Sequence, residues 1–269
     1  MKSKKKSNQT KIEFKNKGTK IQEPIEEPIE ELKKNEKCVV IGNGRSLKGF
    51  DFTSINRKEY DTIGCCFAFR HWDKIDWYPD VYVNVDHVVL KENIDEIKEF
   101  ILKKKCRAYI LSVAIKEVWK DIPENDICVV YVEQLMNVKM SLLSLVREWC
   151  SGSVATLVGL DGFQEVKMIG FDCDYVEMIP ECEKCPDGSL RITKTPDVNP
   201  NYFIDDYQRE GDKYNIPNGK KIHYKSWEQL SHIVKFINSM YPEEKRTLTN
   251  YNDKDSVKAF IQTLPLQDF

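Results

Sequence analysis

From Lys37 onward the chain alternates short apolar runs with amphipathic stretches, which predicts strands alternating with helices. The runs at 38–41, 62–67, 81–85, 108–113, 128–132 and 166–170 are rich in β-branched and aromatic residues and only a few residues long, the pattern of strands covered on both faces. Between them, 93–104, 141–149 and 154–162 read as helices. Near the C-terminus, Trp227, Leu230, Ile233, Val234 and Ile237 fall at helical spacing, with Ser226 placed as an N-cap. The segment 246–251 reads as a further strand and 256–263 as a short helix. The expectation is an α/β fold, a Rossmann-like and mainly parallel sheet with helices on both faces.

Two regions break the alternation. Residues 1–36 begin with a lysine-rich, nearly acid-free stretch and offer little to bury, so they read as a flexible charged leader. Residues 173–222 are rich in Pro, Gly, Asn and Asp and lack periodicity, which predicts a lid-like or ligand-binding insertion within one domain spanning 37–269.

Composition narrows the function classes. With 41% hydrophobic residues in 269, the chain can bury a substantial core. A net charge of −2 gives no general attraction to nucleic acid, which is not expected as a partner. The basic leader still provides a point for peripheral contact with an anionic membrane surface. No apolar run approaches the length of about 18 residues that a transmembrane helix needs. Nine cysteines, an odd number mostly inside apolar segments and after no secretory signal, read as a reducing, cytoplasmic compartment. A homo-oligomer remains open.

The first strand ends in Gly42, Asn43, Gly44, Arg45 and Ser46. In a parallel sheet, ligands bind where strands turn toward helices, and glycines there let backbone approach a phosphate. The turn lacks the third glycine of GxGxxG and the Gly-Lys-Ser/Thr ending of the P-loop, so a plain tight turn is the competing reading.

GNGRSLKGFD, followed by YDTIGCCFAF, resembles the opening of the bacterial sialyltransferases of glycosyltransferase family 42, and the wider group of motility-associated and pterin-diphosphokinase-like proteins that share the turn. SGSVATLVGLDGFQEVKMIGFDCDY, then NPNYF with DDY and HYKSWEQL, then TNYNDKDSVKAF resemble the same families in the same order. The resemblance implies a GT-A-like domain that takes a nucleotide sugar, CMP-linked and sialic-acid-like, and passes the sugar to a glycan acceptor by an inverting displacement.

Residue by residue, it implies that Gly42, Asn43, Gly44 and Ser46 approach the nucleotide and that His223 is the general base. An imidazole suits proton removal near neutral pH. Tyr175 falls near a tyrosine that hydrogen-bonds the leaving phosphate, with Tyr202 or Tyr207 as its partner. Cys66 stands where the sialyltransferases carry an asparagine, and Arg45 where they carry a proline. Asn84, Asp86, Ser151, Gly152 and Asp172 complete the expected nucleotide-sugar contacts, with capping of the strand end the competing role for Asn84 and Asp86.

Three other patterns compete. Asp172-Cys173-Asp174 is an Asp-x-Asp of the kind that holds Mg²⁺ or Mn²⁺ with a diphosphate, whereas the resembled sialyltransferases need no metal. ATP-dependent diphosphate transfer to a pterin, or nucleotide-sugar binding without catalysis, would keep the turn and change the chemistry. Cys182 and Cys185 form a CxxC, half of a zinc site or a pair of plain thiols. The absence of Gly-x-Ser-x-Gly and His-Glu-x-x-His motifs removes the common hydrolase and metalloprotease readings.

Overall fold

The structure, a computed structural model, describes residues 34–137, 141–145, 149–215, 219–254, 258 and 260–269; the side chains of 219–223 lie outside the description. The expected leader falls outside it except for residues 34–36.

Eight strands form one parallel sheet. They are β1 (Lys37–Ile41), β2 (Tyr60–Cys65), β3 (Val81–Asn84), β4 (Ala108–Leu111), β5 (Val129–Tyr131), β6 (Glu165–Ile169), β10 (Thr247–Tyr251) and β11 (Gln262–Leu264). Their order is β11-β10-β6-β1-β2-β3-β4-β5. The chain winds outward from β1 to β5 and returns as β6 on the other side of β1. Such a reversal opens a crevice at the strand carboxyl ends.

Period-two alternation splits the strand side chains between two cores. Cys38 and Val40 of β1, with Ile63, Val83, Ile110 and Met168, face α4 (Val132–Asn137), α5 (Ser151–Gly162) and α6 (Gly219–Met240). Val39 and Ile41, with Tyr82, Tyr109 and Leu111, face α1 (Phe69–Ile75), α2 (His87–Glu92) and α3 (Ile94–Leu102). The expected α/β sheet with helices on both faces is therefore present. Among the described residues no helix is long and apolar enough to cross a membrane.

Several local expectations differ from the structure. Instead of a helix over 141–149, Leu142–Leu145 is one 3-10 turn, closed by hydrogen bonds of the Ser141 and Ser144 hydroxyls to nearby backbone; 146–148 lie outside the description. Ser226 is not an N-cap but lies buried inside α6, which starts at Gly219; its lysine-rich first turns lack the apolar spacing that marks the rest, so the pattern places the start too late. Of the helix expected over 256–263, residues 256, 257 and 259 lie outside the description, and Gln262–Leu264 instead pairs with β10 as the edge strand β11. The insertion carries an antiparallel sheet of β7 (Cys182–Lys184), β8 (Leu190–Ile192) and β9 (Lys213–Tyr214), too short for periodicity to reveal.

At the switch point the turn after β1 lies directly on the turn after β6. The Gly42 N–H donates to the Ile169 carbonyl and the Gly44 N–H to the Gly170 carbonyl, both at 2.8 Å. A Cβ at 42 would lie 2.3 Å from the Gly170 carbonyl oxygen, and one at 44 would lie 2.4 Å from Cγ of Asp172. The buried Asp172 carboxylate accepts from the Ser46 N–H at 2.9 Å, from the Ser46 hydroxyl, and from Nδ2 of Asn252 beyond β10 at 2.8 Å. One carboxylate thus joins the ends of β1, β6 and β10.

The insertion is fastened to the same end. Tyr202 bridges to Gly44, and the Phe203 N–H donates to the Asn43 carbonyl at 3.2 Å. Farther out, the buried Arg70 of α1 donates to the Tyr207 carbonyl at 2.7 Å and pairs with both Glu96 and Asp212. Burial alone would lower the Arg70 pKa, but the hydrogen bonds of Asp212 and Glu96 prevail and raise it.

Replacing Gly42 with alanine is expected to cost about 2–3 kcal/mol or more, because the obstacle is backbone that must move. Urea unfolding of the variant checks this; unchanged stability would mean that the turn is not packed as described.

A pH effect arises at His71, whose ring sits against Phe52 and Phe203 at centroid distances of 5.7 and 5.2 Å. Burial, reinforced by Lys74, lowers its pKa, with Asp206 opposing. The unfolded chain therefore binds the His71 proton at higher pH than the folded one, and stability falls as pH drops through about 6.5. Urea midpoints at pH 7.5 and 5.5 should differ less in His71→Phe than in the parent; equal differences would assign the slope to other groups.

Candidate functional site

A cavity of about 530 Å³ lies at the carboxyl ends of β1, β2, β3 and β6. The turns after these strands, the start of α5, the insertion and Trp227 of α6 form its walls. Among the described residues that line it there is no lysine or arginine.

Asn43 occupies the turn after β1. Its Nδ2 donates to the Cys65 carbonyl at 3.2 Å and to the Tyr207 hydroxyl at 2.8 Å, while Oδ1 is buried without a partner. The Tyr207 hydroxyl also accepts the Phe67 N–H at 3.2 Å, and its ring stacks on Tyr202 with centroids 3.8 Å apart. Tyr175 stands 6.2 Å from Tyr202, centroid to centroid. Burial raises the pKa of all three tyrosines, and neighbouring thiols and phenols add to it. At neutral pH the wall therefore presents protonated phenols, which donate hydrogen bonds.

Cys66 lines the cavity in a left-handed conformation, φ 54°. That conformation ends β2 two residues before the expected strand end at 67. Ser151 and Gly152 bring the first turn of α5 to the wall, where a helix N-terminus favours an anion. The Ser151 hydroxyl accepts the Val85 N–H at 3.1 Å, tying α5 to the end of β3. Asp86 also lines the cavity, and one of its oxygens caps α2 through Val88 and Val89 and accepts from Asn215.

Other candidates lie behind the wall. Ser46 and Asp172 bond each other, and Gly44 packs against Asp172. Asn84 is fully buried; its Nδ2 donates to the Tyr82 hydroxyl at 3.1 Å and its Oδ1 has no partner. The backbone of His223 lies in α6, one turn before Trp227, and its side chain is outside the description.

The alternative metal pair does not fit a shared divalent ion. Both Asp172 oxygens already accept from Ser46 and Asn252, whereas Asp174 is exposed and pairs with Lys254 at 3.1 Å. Among the described residues no cluster of three His, Cys, Asp or Glu could hold a metal. Cys182 and Cys185 are drawn out along β7 and its continuation, which separates them by about 10 Å. That exceeds the Cα span of about 7 Å that a disulfide tolerates. None of the nine cysteines is in a disulfide.

Sequence reasoning missed part of the wall. Trp227 reads as an ordinary core position of α6, yet it faces the cavity and donates Nε1–H to the Cys173 thiol at 3.0 Å. Gln208, Asp212 and Asn215 come from a stretch without periodicity, so no signal marked them.

No family model matches the chain, and no curated protein matches it. Solved structures are similar to it in overall architecture. The sialyltransferase CstII from Campylobacter jejuni, in complex with cytidine-5′-monophosphate, is 15% identical over 86% of this chain and 85% of that chain, with a TM-score of 0.49. The sialyltransferase CST-II with trisaccharide acceptor and CMP is 14% identical over 85% of this chain and 86% of that one, with a TM-score of 0.48. MAf glycosyltransferase from Magnetospirillum magneticum AMB-1 is 15% identical over 87% of this chain and 34% of that one, with a TM-score of 0.49. At these identities and TM-scores the likeness assigns no residue a role.

Proposed function

We propose that the chain is a glycosyltransferase that takes a CMP-linked, sialic-acid-like sugar and transfers it to a glycan acceptor with inversion. One observation carries this reading. Segments far apart in the sequence, each resembling the family 42 sialyltransferases, wall one cavity at the strand carboxyl ends: Asn43, Cys66, Ser151 and Gly152, Tyr175 and Tyr202. The same wall presents neutral hydrogen-bond donors and the start of a helix, a combination suited to a nucleoside monophosphate.

In this mechanism His223 removes the proton from the acceptor hydroxyl as its oxygen attacks the anomeric carbon. The sugar–phosphate bond breaks on the opposite face and the nucleotide leaves with the electron pair. Tyr175 and Tyr202 donate to the departing phosphate, stabilising charge where it develops. The insertion covers the donor and limits attack by water. A structural reading of the tyrosines alone would leave their positions around one cavity without consequence for turnover.

Thermal-shift titration is expected to show stabilisation by CMP in EDTA, because a ligand that binds only the folded chain raises the melting temperature. Stabilisation by ATP with Mg²⁺ alone would replace this reading with diphosphate transfer. With a CMP-sugar donor, His223→Ala should abolish transfer and leave the CMP shift intact; retained turnover would remove His223 from the mechanism.

A further inference from the structure

We propose that Tyr207 and Asn43 form a paired donor and acceptor subsite that holds the uncharged nucleoside part of the nucleotide rather than its phosphate. The inference rests on the nucleotide-sugar reading and adds a specificity-determining role for Tyr207.

Hydrogen-bond bookkeeping fixes the polarity of the pair. The Cys65 carbonyl can only accept, so the contact at 3.2 Å orients the Asn43 amide with Nδ2 toward it. The same Nδ2 supplies a hydrogen to the Tyr207 oxygen at 2.8 Å, which leaves Oδ1 as the unused half of the amide, buried and without a partner. The Tyr207 oxygen receives a second hydrogen from the Phe67 N–H at 3.2 Å. With two hydrogens arriving, its own O–H is directed elsewhere and is available to donate. Both residues line the cavity.

The distances then decide what the pair can hold. Covalent geometry of an amide, added to the contact at 2.8 Å, places Oδ1 within about 5 Å of the Tyr207 oxygen. A phosphate oxygen accepting from Tyr207 would bring negative charge beside an unpartnered carbonyl oxygen. A group carrying an adjacent donor and acceptor satisfies both, as ribose hydroxyls or the edge of a nucleobase do. A buried oxygen left unpaired is unfavourable, so supplying its partner favours binding.

Tyr207 is also fixed in place. Its ring stacks on Tyr202, and Arg70 holds its carbonyl at 2.7 Å. Arg70 is itself buried and paired with Asp212 and Glu96. The hydroxyl therefore keeps its position without help from a bound molecule, the condition for a group that selects.

The test compares nucleosides with their monophosphates by calorimetry, using the parent chain and Tyr207→Phe, which keeps the stacked ring and removes the hydroxyl. Dissociation constants for cytidine and CMP should both rise by the same factor, about threefold to tenfold for one neutral hydrogen bond. In the parent chain, inorganic phosphate should fail to displace cytidine, a measurement that needs no variant to fold. A loss confined to CMP, no loss with either, or displacement of cytidine by phosphate would overturn the inference while leaving the transferase reading standing. If uridine and UMP bind in place of the cytidine pair, the same ratio is read from them, and only the CMP identity falls. Failure of the parent chain to bind any of the four common nucleosides or their monophosphates would overturn both.

Discussion

The Asp172 carboxylate is the point on which the binding end of the sheet depends. It is buried, forms no ion pair among the described residues, and accepts hydrogen bonds from the Ser46 N–H, the Ser46 hydroxyl and Asn252 Nδ2. Hydrogen bonds to an ionised acceptor contribute about 1.5–3 kcal/mol each, enough together to hold an otherwise costly buried charge. Because Ser46 follows β1, Asp172 follows β6 and Asn252 follows β10, these bonds set the relative positions of three strand ends. The glycines at 42 and 44 follow from that contact: no side chain fits between the two turns. Asn43 can then lean into the cavity while its neighbours carry the packing.

The insertion is held to this base by two kinds of contact that fail under different conditions. At the cavity, Tyr207 and Tyr202 use stacking and neutral hydrogen bonds to the glycine turn and to Phe67. On the outer side, Arg70 is buried between Asp212 and Glu96, and removing one partner of such a pair typically costs about 3–5 kcal/mol. Peripheral pairs such as Lys48 with Asp205 are exposed and add little. Movement of the insertion that preserved the Arg70 network would leave the stretch from Tyr207 to Asp212 seated and displace the outer hairpin of β7 and β8 instead. Description as a uniform lid therefore understates how strongly its C-terminal half belongs to the cavity wall.

What was legible in the sequence follows the range of the interactions involved. Short apolar runs locate β1, β3, β4, β5, β6 and β10 to within a few residues, because each strand buries at least one face in full or nearly so and its pattern is local. The end of β2 was misplaced since Cys66, which reads as a strand residue, takes a positive φ that only the surrounding turn imposes. Asn43, Tyr175 and Tyr202 were recognisable through short motifs. The Arg70 network was not, since Arg70, Glu96 and Asp212 are scattered through the chain and each looks like a surface charge on its own. The Asp-x-Asp pattern likewise hides its environment: two carboxylates one residue apart in sequence occupy unlike places, one buried and saturated with donors, the other exposed beside a lysine.

The polarity of the cavity links these observations to chemistry. Its described wall presents phenols, three amides, thiols, the His87 imidazole and the start of α5, while its carboxylates are engaged: Asp86 in capping α2 and Asp212 in holding Arg70. Neutral donors stabilise a modest, localised charge well, since they are fixed in place before it develops. They are poorly matched to the dense charge of a triphosphate, whose transfer chemistry relies on cations bridging its oxygens. In the proposed transfer a monophosphate leaving group would concentrate its charge at one centre, which suits a wall of fixed neutral donors and one helix start. Under the proposed function, Cys66 at the position of the resembled sialyltransferases' asparagine would offer only a weak donor and weak acceptor, so recognition there would rest more on shape than on hydrogen bonding. In the proposed transfer, donor selection would then fall on the remaining polar groups of the wall, the Asn43 amide and the Tyr207 hydroxyl that it meets among them.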